Sequence, residues 1–381
     1  MMKALRTLKN LTIGLLILAS GQLFIRCSRD AIVDPGPTLS QELQEVLDRT
    51  LEIHNGIGVS AAVLMPGQEI WIGASGISHE NVPIETDMIF CLGSITKNYM
   101  AALVLQLVEE GVLTLDDPLH QWLPSFPNID SAITIRQLLN HTSGIYDFTR
   151  NPAWGESILA DLNRTWSPEE TIHTFVLEPV FAAGTNYEYS NTNYLLVGMI
   201  IKEATHSQIS TLLRERILTP LGLAHTFFSI EEDIIGTVAH RWEDMNGDGQ
   251  PDDISSYPRN AHDSMLWTTG ALYSTAEDVV RYSHALFNCE LFTRESLEQM
   301  LDYVPYPYNP ALGYGFGILI IPDFIPNIQA LGHDGTVFGF KARWVYLPDY
   351  NVHIAVLLNE DNYDCLTAIT AGLARVVLNH R

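Results

Sequence analysis

A serine hydroxyl becomes a nucleophile only when a neighbouring base takes its proton, and Ser94 has such a neighbour in Lys97, three residues on in Gly93-Ser94-Ile95-Thr96-Lys97. On a helix, residues at i and i+3 share a face, which sets the lysine nitrogen beside the hydroxyl. The lysine can act as a base only where burial or nearby charge lowers its pKa. A second cluster, Tyr189-Ser190-Asn191, brings a phenol able to exchange protons and an amide able both to donate and to accept. A third, Gly332-His333-Asp334-Gly335-Thr336, precedes a β-rich run and offers strand-edge N–H groups to an oxyanion or a substrate backbone. Taken singly, each has an ordinary structural reading. These are a capping serine with a surface lysine, a packed aromatic next to an asparagine cap, and a tight turn with a surface histidine.

The elements that must position these residues can be read from hydrophobic period and turn chemistry. Met100, Leu103, Val104 and Leu107 form the buried stripe of a helix opened by the Ser94 segment and closed by Gly111. The N-terminus of that helix turns free N–H groups and positive partial charge toward Ser94. A loop at Phe181–Thr185 leads to Tyr189, and helical spacing follows in Tyr194, Leu195, Val197 and Ile201. Near the start, Leu43, Val46, Leu47 and Leu51 predict a helix with Ser40 as N-cap, followed by strands over Gly58–Leu64 and Glu69–Ala74 around Pro66-Gly67. The C-terminal end mirrors this with strands over Phe340–Tyr346 and Val352–Leu358 and a helix over Leu366–Leu378. Both ends therefore belong to one antiparallel sheet covered by helices, with an inserted, mostly helical region between them. A cleft between sheet and insertion is the expected place for a small-molecule site.

The three clusters, in this order and at these intervals, resemble the serine β-lactamase and penicillin-binding family, whose hallmarks are S-x-x-K, then Y-x-N or S-x-N, then K-T-G or H-x-G. The spacing looks like the branch of class C β-lactamases and D-alanyl-D-alanine carboxypeptidases, and Leu138-Leu139-Asn140-His141-Thr142-Ser143-Gly144 is similar to the H-T-S-G stretch of that branch. The resemblance runs from about Ser40 onward. It implies an α+β, β-lactamase/transpeptidase-like fold, with a sheet lobe over about 40–93 and 282–381 and a helical lobe over about 94–281. It further implies Ser94 as the acylated nucleophile, Lys97 as holder of its proton network and Tyr189 in acid and base roles. Asn191, His333, Gly335 and Thr336 would line the substrate, and the N–H groups of Ser94 and Thr336 would form the oxyanion hole. No cofactor is implied for catalysis.

The chain has His333 where many β-lactamases have lysine, and a mostly neutral imidazole offers less fixed positive charge to a β-lactam carboxylate. The expectation is therefore a D-alanyl-D-alanine carboxypeptidase, D-amino-acid peptidase or esterase acting on a small-molecule or peptide substrate. The alternatives are a β-lactamase and a catalytically silent ligand-binding homologue. His141 is read as a turn residue outside the catalytic set, and Tyr146, Trp154, Trp242 and Trp267 as candidate pocket walls.

One motif stands apart from this set. Asp244, Asn246, Asp248, Gly249 and Asp252 follow a D-x-N-x-D-G spacing that gathers hard oxygen ligands, so a structural calcium is an expectation, although Ser255 stands where a full EF-hand loop has its bidentate glutamate. A net charge of -24 argues against nucleic acid and against anionic lipid as partners and favours solubility. Lys3, Arg6 and Lys9, the apolar run Leu11–Ala19 and the small residues Ala19, Ser20 and Gly21 have the layout of a secretory signal peptide over 1–21, with a linker over 22–39. Export to a periplasmic or extracellular location follows, with a membrane tether as the variant if the apolar run is retained or Cys27 is lipidated. The four cysteines are too scattered for a zinc site or a disulfide scaffold, and in an oxidising compartment Cys289 and Cys365 could pair.

Overall fold

The computed structural model describes residues 38–380, so the signal peptide, most of the linker and Cys27 lie outside the described residues. The first helix, α1 (Leu39–Ile53), is capped by Thr38, whose hydroxyl accepts from the Gln41 N–H while the Gln41 side chain accepts from the Thr38 N–H. This reciprocal pair moves the start of the helix ahead of the expected cap at Ser40, which lies inside the first turn.

Nine strands form one antiparallel sheet. They are β1 (Gly58–Leu64), β2 (Trp71–His79), β3 (Val82–Pro83), β4 (Val304–Tyr306), β5 (Asn309–Tyr314), β6 (Leu319–Ile325), β7 (Ile328–Val337), β8 (Phe340–Leu347) and β9 (Val352–Leu358). Their spatial order is β3-β2-β1-β9-β8-β7-β6-β5-β4. The two ends of the sequence meet at its centre, where Val59 lies opposite Leu358 and Leu64 opposite His353. β1 and β9 are buried along almost their whole length, which is why they read as apolar runs rather than as alternating ones.

Between β3 and β4 the chain forms α2 (Thr96–Glu109), α3 (Asn191–Thr205) and α4 (Ala276–Phe287), with shorter helices and a small sheet of Phe90–Cys91, Leu272–Ser274 and Phe227–Phe228. The chain ends in α5 (Tyr363–Asn379), which packs on α1. On one face of the large sheet, Leu43, Leu47, Ile354, Val356, Leu366 and Leu373 form a core under α1 and α5. On the other face a larger core gathers α2, α3 and the helical region around Tyr99, Leu103, Leu196 and Phe316. α4, which straddles the expected lobe boundary at residue 281, packs on β1 and β9.

The pairing of Cys289 with Cys365 left open by the sequence is not formed, and both thiols are free. Cys365 is buried in the core under α1 and α5, whereas Cys289 packs against the core on the opposite face, so the sheet separates them.

Candidate active site

Ser94 sits in a single 3-10 turn, Gly93–Ile95, that runs directly into α2. Two glycines set its position. Gly93 has φ +52° and a Cβ there would lie 2.8 Å from the Thr336 nitrogen, while a Cβ on Gly335 would lie 1.9 Å from the Leu92 carbonyl oxygen. The turn and β7 therefore press backbone against backbone, and the Ser94 and Thr336 amides come to the same edge of a cavity lined by both residues. Gly335, expected to line the substrate, is buried with its Cα against Leu92 and Gly93.

Lys97, fully buried on the first turn of α2, donates from Nζ to Ser94 Oγ at 2.9 Å and to the Thr269 carbonyl at 2.7 Å. Burial is the main influence on it and brings its pKa from 10.5 down to about 7, opposed by the carboxylate of Asp147. At neutral pH a large fraction is the free amine. In that state an N–H still reaches Thr269 and the lone pair faces Ser94 Oγ.

Tyr189 completes the group. Its ring centroid lies 5.1 Å from Lys97 Nζ and 4.3 Å from the ring of His141. Burial pushes the phenol well above its ordinary pKa, and the adjacent Ser94 hydroxyl opposes this only in part, so the ring is held protonated. Its buried hydroxyl has no aligned hydrogen-bond partner in the protein. Of the acid and base roles expected of Tyr189, a phenol held protonated favours the acid one. The neutral Lys97 amine is the group suited to accept a proton, and the protonated Tyr189 phenol the group suited to donate one.

Asn191, at the start of α3, donates from Nδ2 to Asp147 at 3.1 Å and to Thr149 at 3.2 Å. Its donor is therefore consumed, and Oδ1 is left as an acceptor toward the cavity that Asn191 lines. His333 is buried on β7, bonded from Nε2 to the Tyr314 hydroxyl at 2.8 Å, and burial lowers its pKa to about 4. It supports the site from beneath and does not line the cavity, a correction to its expected substrate contact. Asp334, the next residue, turns to the opposite face and forms a double hydrogen bond with Arg343 at 2.6 and 2.7 Å.

His141 does occupy a left-handed turn, at φ +60°, and it is also fully buried against Tyr189. Its Nδ1 accepts the Ser190 N–H at 3.2 Å, which fixes the backbone between Tyr189 and Asn191. Of the four expected wall residues only Trp154 lines the Ser94 cavity. Trp242 donates to the Ser78 carbonyl at 2.8 Å, and Trp267 lines a separate surface depression. Thr269, Asp147 and Tyr314 belong to the site and were missed, because a lone carbonyl or a packed phenol carries no spacing signal.

The calcium expectation finds no support in the arrangement of its residues. Asp244 accepts the N–H groups of Gly247 and Gly249, each at 2.8 Å, and Asp248 accepts that of Gln250 at 2.8 Å, so their carboxylates close the loop on itself. Among the described residues no group of three or more His, Cys, Asp or Glu side chains is placed to hold a metal ion.

A buried lysine paired to a serine at a helix start, beside a protonated phenol and under a nine-stranded antiparallel sheet, defines a serine hydrolase of the acyl-enzyme type. The chain belongs to the Beta-lactamase family, whose description matches residues 43–375. It is 32% identical to "Penicillin-binding protein 4" of Amycolatopsis lactamdurans over 348 residues, 83% of this chain and 84% of that one. Among solved structures it is similar to a D-stereospecific amidohydrolase from Streptomyces sp. (TM-score 0.78, 28% identity, covering 88% of this chain and 98% of that one). It is also similar to the D-amino acid amidase of Ochrobactrum anthropi SV3 bound to D-phenylalanine (TM-score 0.79, 26% identity, covering 90% and 99%).

Proposed function

We propose that this serine hydrolase cleaves an amide or ester of a D-amino-acid derivative through an acyl-enzyme on Ser94. The observation that carries the reading is the 2.9 Å contact between Ser94 Oγ and a buried lysine whose pKa is near neutrality. Lys97 takes the Ser94 proton as Oγ attacks the carbonyl carbon. The amides of Ser94 and Thr336 receive the oxyanion. As the tetrahedral species collapses, Tyr189 gives its proton to the leaving amine or alcohol and recovers one from the Lys97 ammonium, which leaves an acyl-serine and a neutral lysine. Water then replaces the leaving group and the same steps run in reverse, releasing the acid.

The D-amino-acid preference is supported by the two structural relatives named above, and the choice between amide and ester rests with the leaving group that the cavity admits. Hydrolysis of D- and L-alanine p-nitroanilide and of p-nitrophenyl acetate tests the reading. Turnover of the D-anilide or the ester that is lost in Ser94→Ala supports it, and turnover that persists in that variant refutes it. The basic, apolar and small-residue layout of residues 3–21 supports export, which a fractionation of expressing cells would test by finding the activity outside the cytoplasm.

A further inference from the structure

The carbonyl that receives the Lys97 N–H belongs to a strained turn. Between the helix Asn260–Leu266 and the strand Leu272–Ser274 the chain reverses at Trp267, whose backbone lies at φ +39° and ψ -116°. A side chain in this region crowds its own backbone, and glycine is the residue that takes it without penalty. Strain of this kind persists only where the surroundings enforce it. The turn sets a backbone direction: the Trp267 carbonyl accepts the N–H groups of Gly270 and Ala271 at 3.2 and 2.9 Å, and the Thr269 carbonyl is left to accept from Lys97 Nζ at 2.7 Å.

The tryptophan side chain is what enforces the turn. Leu266, Thr269 and Gly270 line the Ser94 cavity, whereas Trp267 lines the separate depression with Lys202 and Glu203. Its indole Nε1 donates to Glu231 Oε1 at 2.9 Å, and Oε2 of the same carboxylate accepts the Ser210 N–H at 2.8 Å. Lys202 Nζ stands 5.5 Å from the ring centroid. The ring also fills a notch that Gly198 leaves in α3, where a Cβ would lie 2.7 Å from Trp267 Cζ3 and 2.4 Å from Thr268 Oγ1. Thr268 Oγ1 in turn donates to the Tyr194 carbonyl at 2.7 Å. A glycine at position 267 would relieve the strain and lose the anchors that the indole supplies.

We propose that Trp267, clamped by Glu231 and seated against Gly198, is a positioning residue for the reaction: it fixes the aim of the Thr269 carbonyl and, through that hydrogen bond, the direction in which the Lys97 amine faces Ser94 Oγ. The proposal rests on the hydrolase reading and adds to it a residue outside the cavity that holds the nucleophile. With one N–H held by Thr269, the amine keeps its lone pair on the serine; with the carbonyl displaced, it is free to rotate away. A carbonyl acceptor also favours the ammonium over the amine, so its displacement lowers the proton affinity of Lys97. The other titratable groups that face Lys97 are the carboxylate of Asp147, the rings of Tyr189 and Tyr194, and the imidazoles of His141 and His333, and all of them are retained in the variants that test the proposal.

The test is the pH dependence of kcat/KM on p-nitrophenyl acetate for the wild type, Trp267→Phe and Trp267→Gly. Trp267→Phe keeps a ring for the Gly198 notch and removes the N–H to Glu231. Trp267→Gly suits the backbone and removes the whole anchor. The expected result is a fall in the high-pH plateau of roughly tenfold in Trp267→Phe and roughly a hundredfold in Trp267→Gly, carried by kcat with KM changed less than about twofold. The midpoint of the profile should move toward acid by about half a unit or more in both. That midpoint does not depend on how much of a preparation is folded, so poor folding lowers the plateau and leaves the midpoint in place. If Trp267→Gly yields no folded protein, Trp267→Phe alone decides by the same criteria. A plateau lowered at an unchanged or alkaline-shifted midpoint, or wild-type profiles in the variants, would overturn the proposal while leaving the Ser94 hydrolase standing. Absence of turnover by the wild type, together with no acetyl adduct on Ser94, would overturn the hydrolase reading and this proposal with it.

Discussion

The lysine beside the nucleophile carries two consequences at the scale of single residues. Its folded pKa, about 7, lies below the 10.5 it has when unfolded. Between these values the unfolded chain binds the extra proton, so this group's contribution to stability rises as pH climbs from about 7 toward 10.5 and is flat below pH 7. The full span corresponds to something on the order of 5 kcal/mol. Denaturant titrations across pH 6 to 9 should show this gain in the wild type and a flatter profile in Lys97→Met. The same lysine predicts that kcat/KM rises with pH and levels off above an apparent pKa near 7, because only the free amine accepts the serine proton. Lys97→Met should lose roughly a thousandfold or more in kcat/KM. At this scale the sequence was informative where chemistry fixes residue types at close spacing, as in Ser94 and Lys97. It was silent on Thr269, whose contribution is a carbonyl, and on the burial that holds Tyr189 protonated, because burial is not visible in a string of residues.

At the scale of elements, the site depends on how closely the Ser94 turn and β7 can approach. A methyl group on Gly335 would fall 1.9 Å from the Leu92 oxygen, so Gly335→Ala must push the strand away from the turn. The expected cost is about 1–3 kcal/mol of stability. Separation of the Ser94 and Thr336 amides should also lower kcat by roughly a hundredfold with less change in KM, since the oxyanion forms only after binding. Steady-state kinetics on a folded, melt-checked variant would settle this, and an unchanged kcat would show that the two amides do not act together. The terminal helices and the strands at 58–64, 340–347 and 352–358 were legible from their apolar runs and turn residues. Of the four strands between Val304 and Val337, β4 and β5 were not, because Pro305, Pro307, Pro310 and Gly313 break their alternation, and β4 lies at the sheet edge, where prolines are tolerated.

For the whole molecule, the two cores divide the labour. The core under α1 and α5 is on the face of the sheet away from Ser94, and Leu366 within it is fully buried. Leu366→Ala should cost about 2–5 kcal/mol, lowering Tm while leaving kcat/KM of the folded fraction near the wild-type value. Calorimetry and kinetics at a temperature below both transitions would check that separation. The free thiols at Cys91, Cys289 and Cys365 mean that a reducing agent should leave Tm of the 38–380 unit unchanged. Stability therefore comes from burial in both layers. Whether Cys289 and Cys365 pair was not legible in the sequence, because sequence distance gives no sign of which face of a sheet a cysteine occupies.

The central claim is that Ser94 carries the acyl group. Acid-quenched reactions with p-nitrophenyl acetate, read by intact mass and peptide mapping in the wild type and in Ser94→Ala, measure this directly. The account predicts a single acetyl adduct mapped to Ser94 in the wild type and none in the variant, alongside the loss of turnover. An adduct on another residue, or turnover that continues in Ser94→Ala, would contradict it.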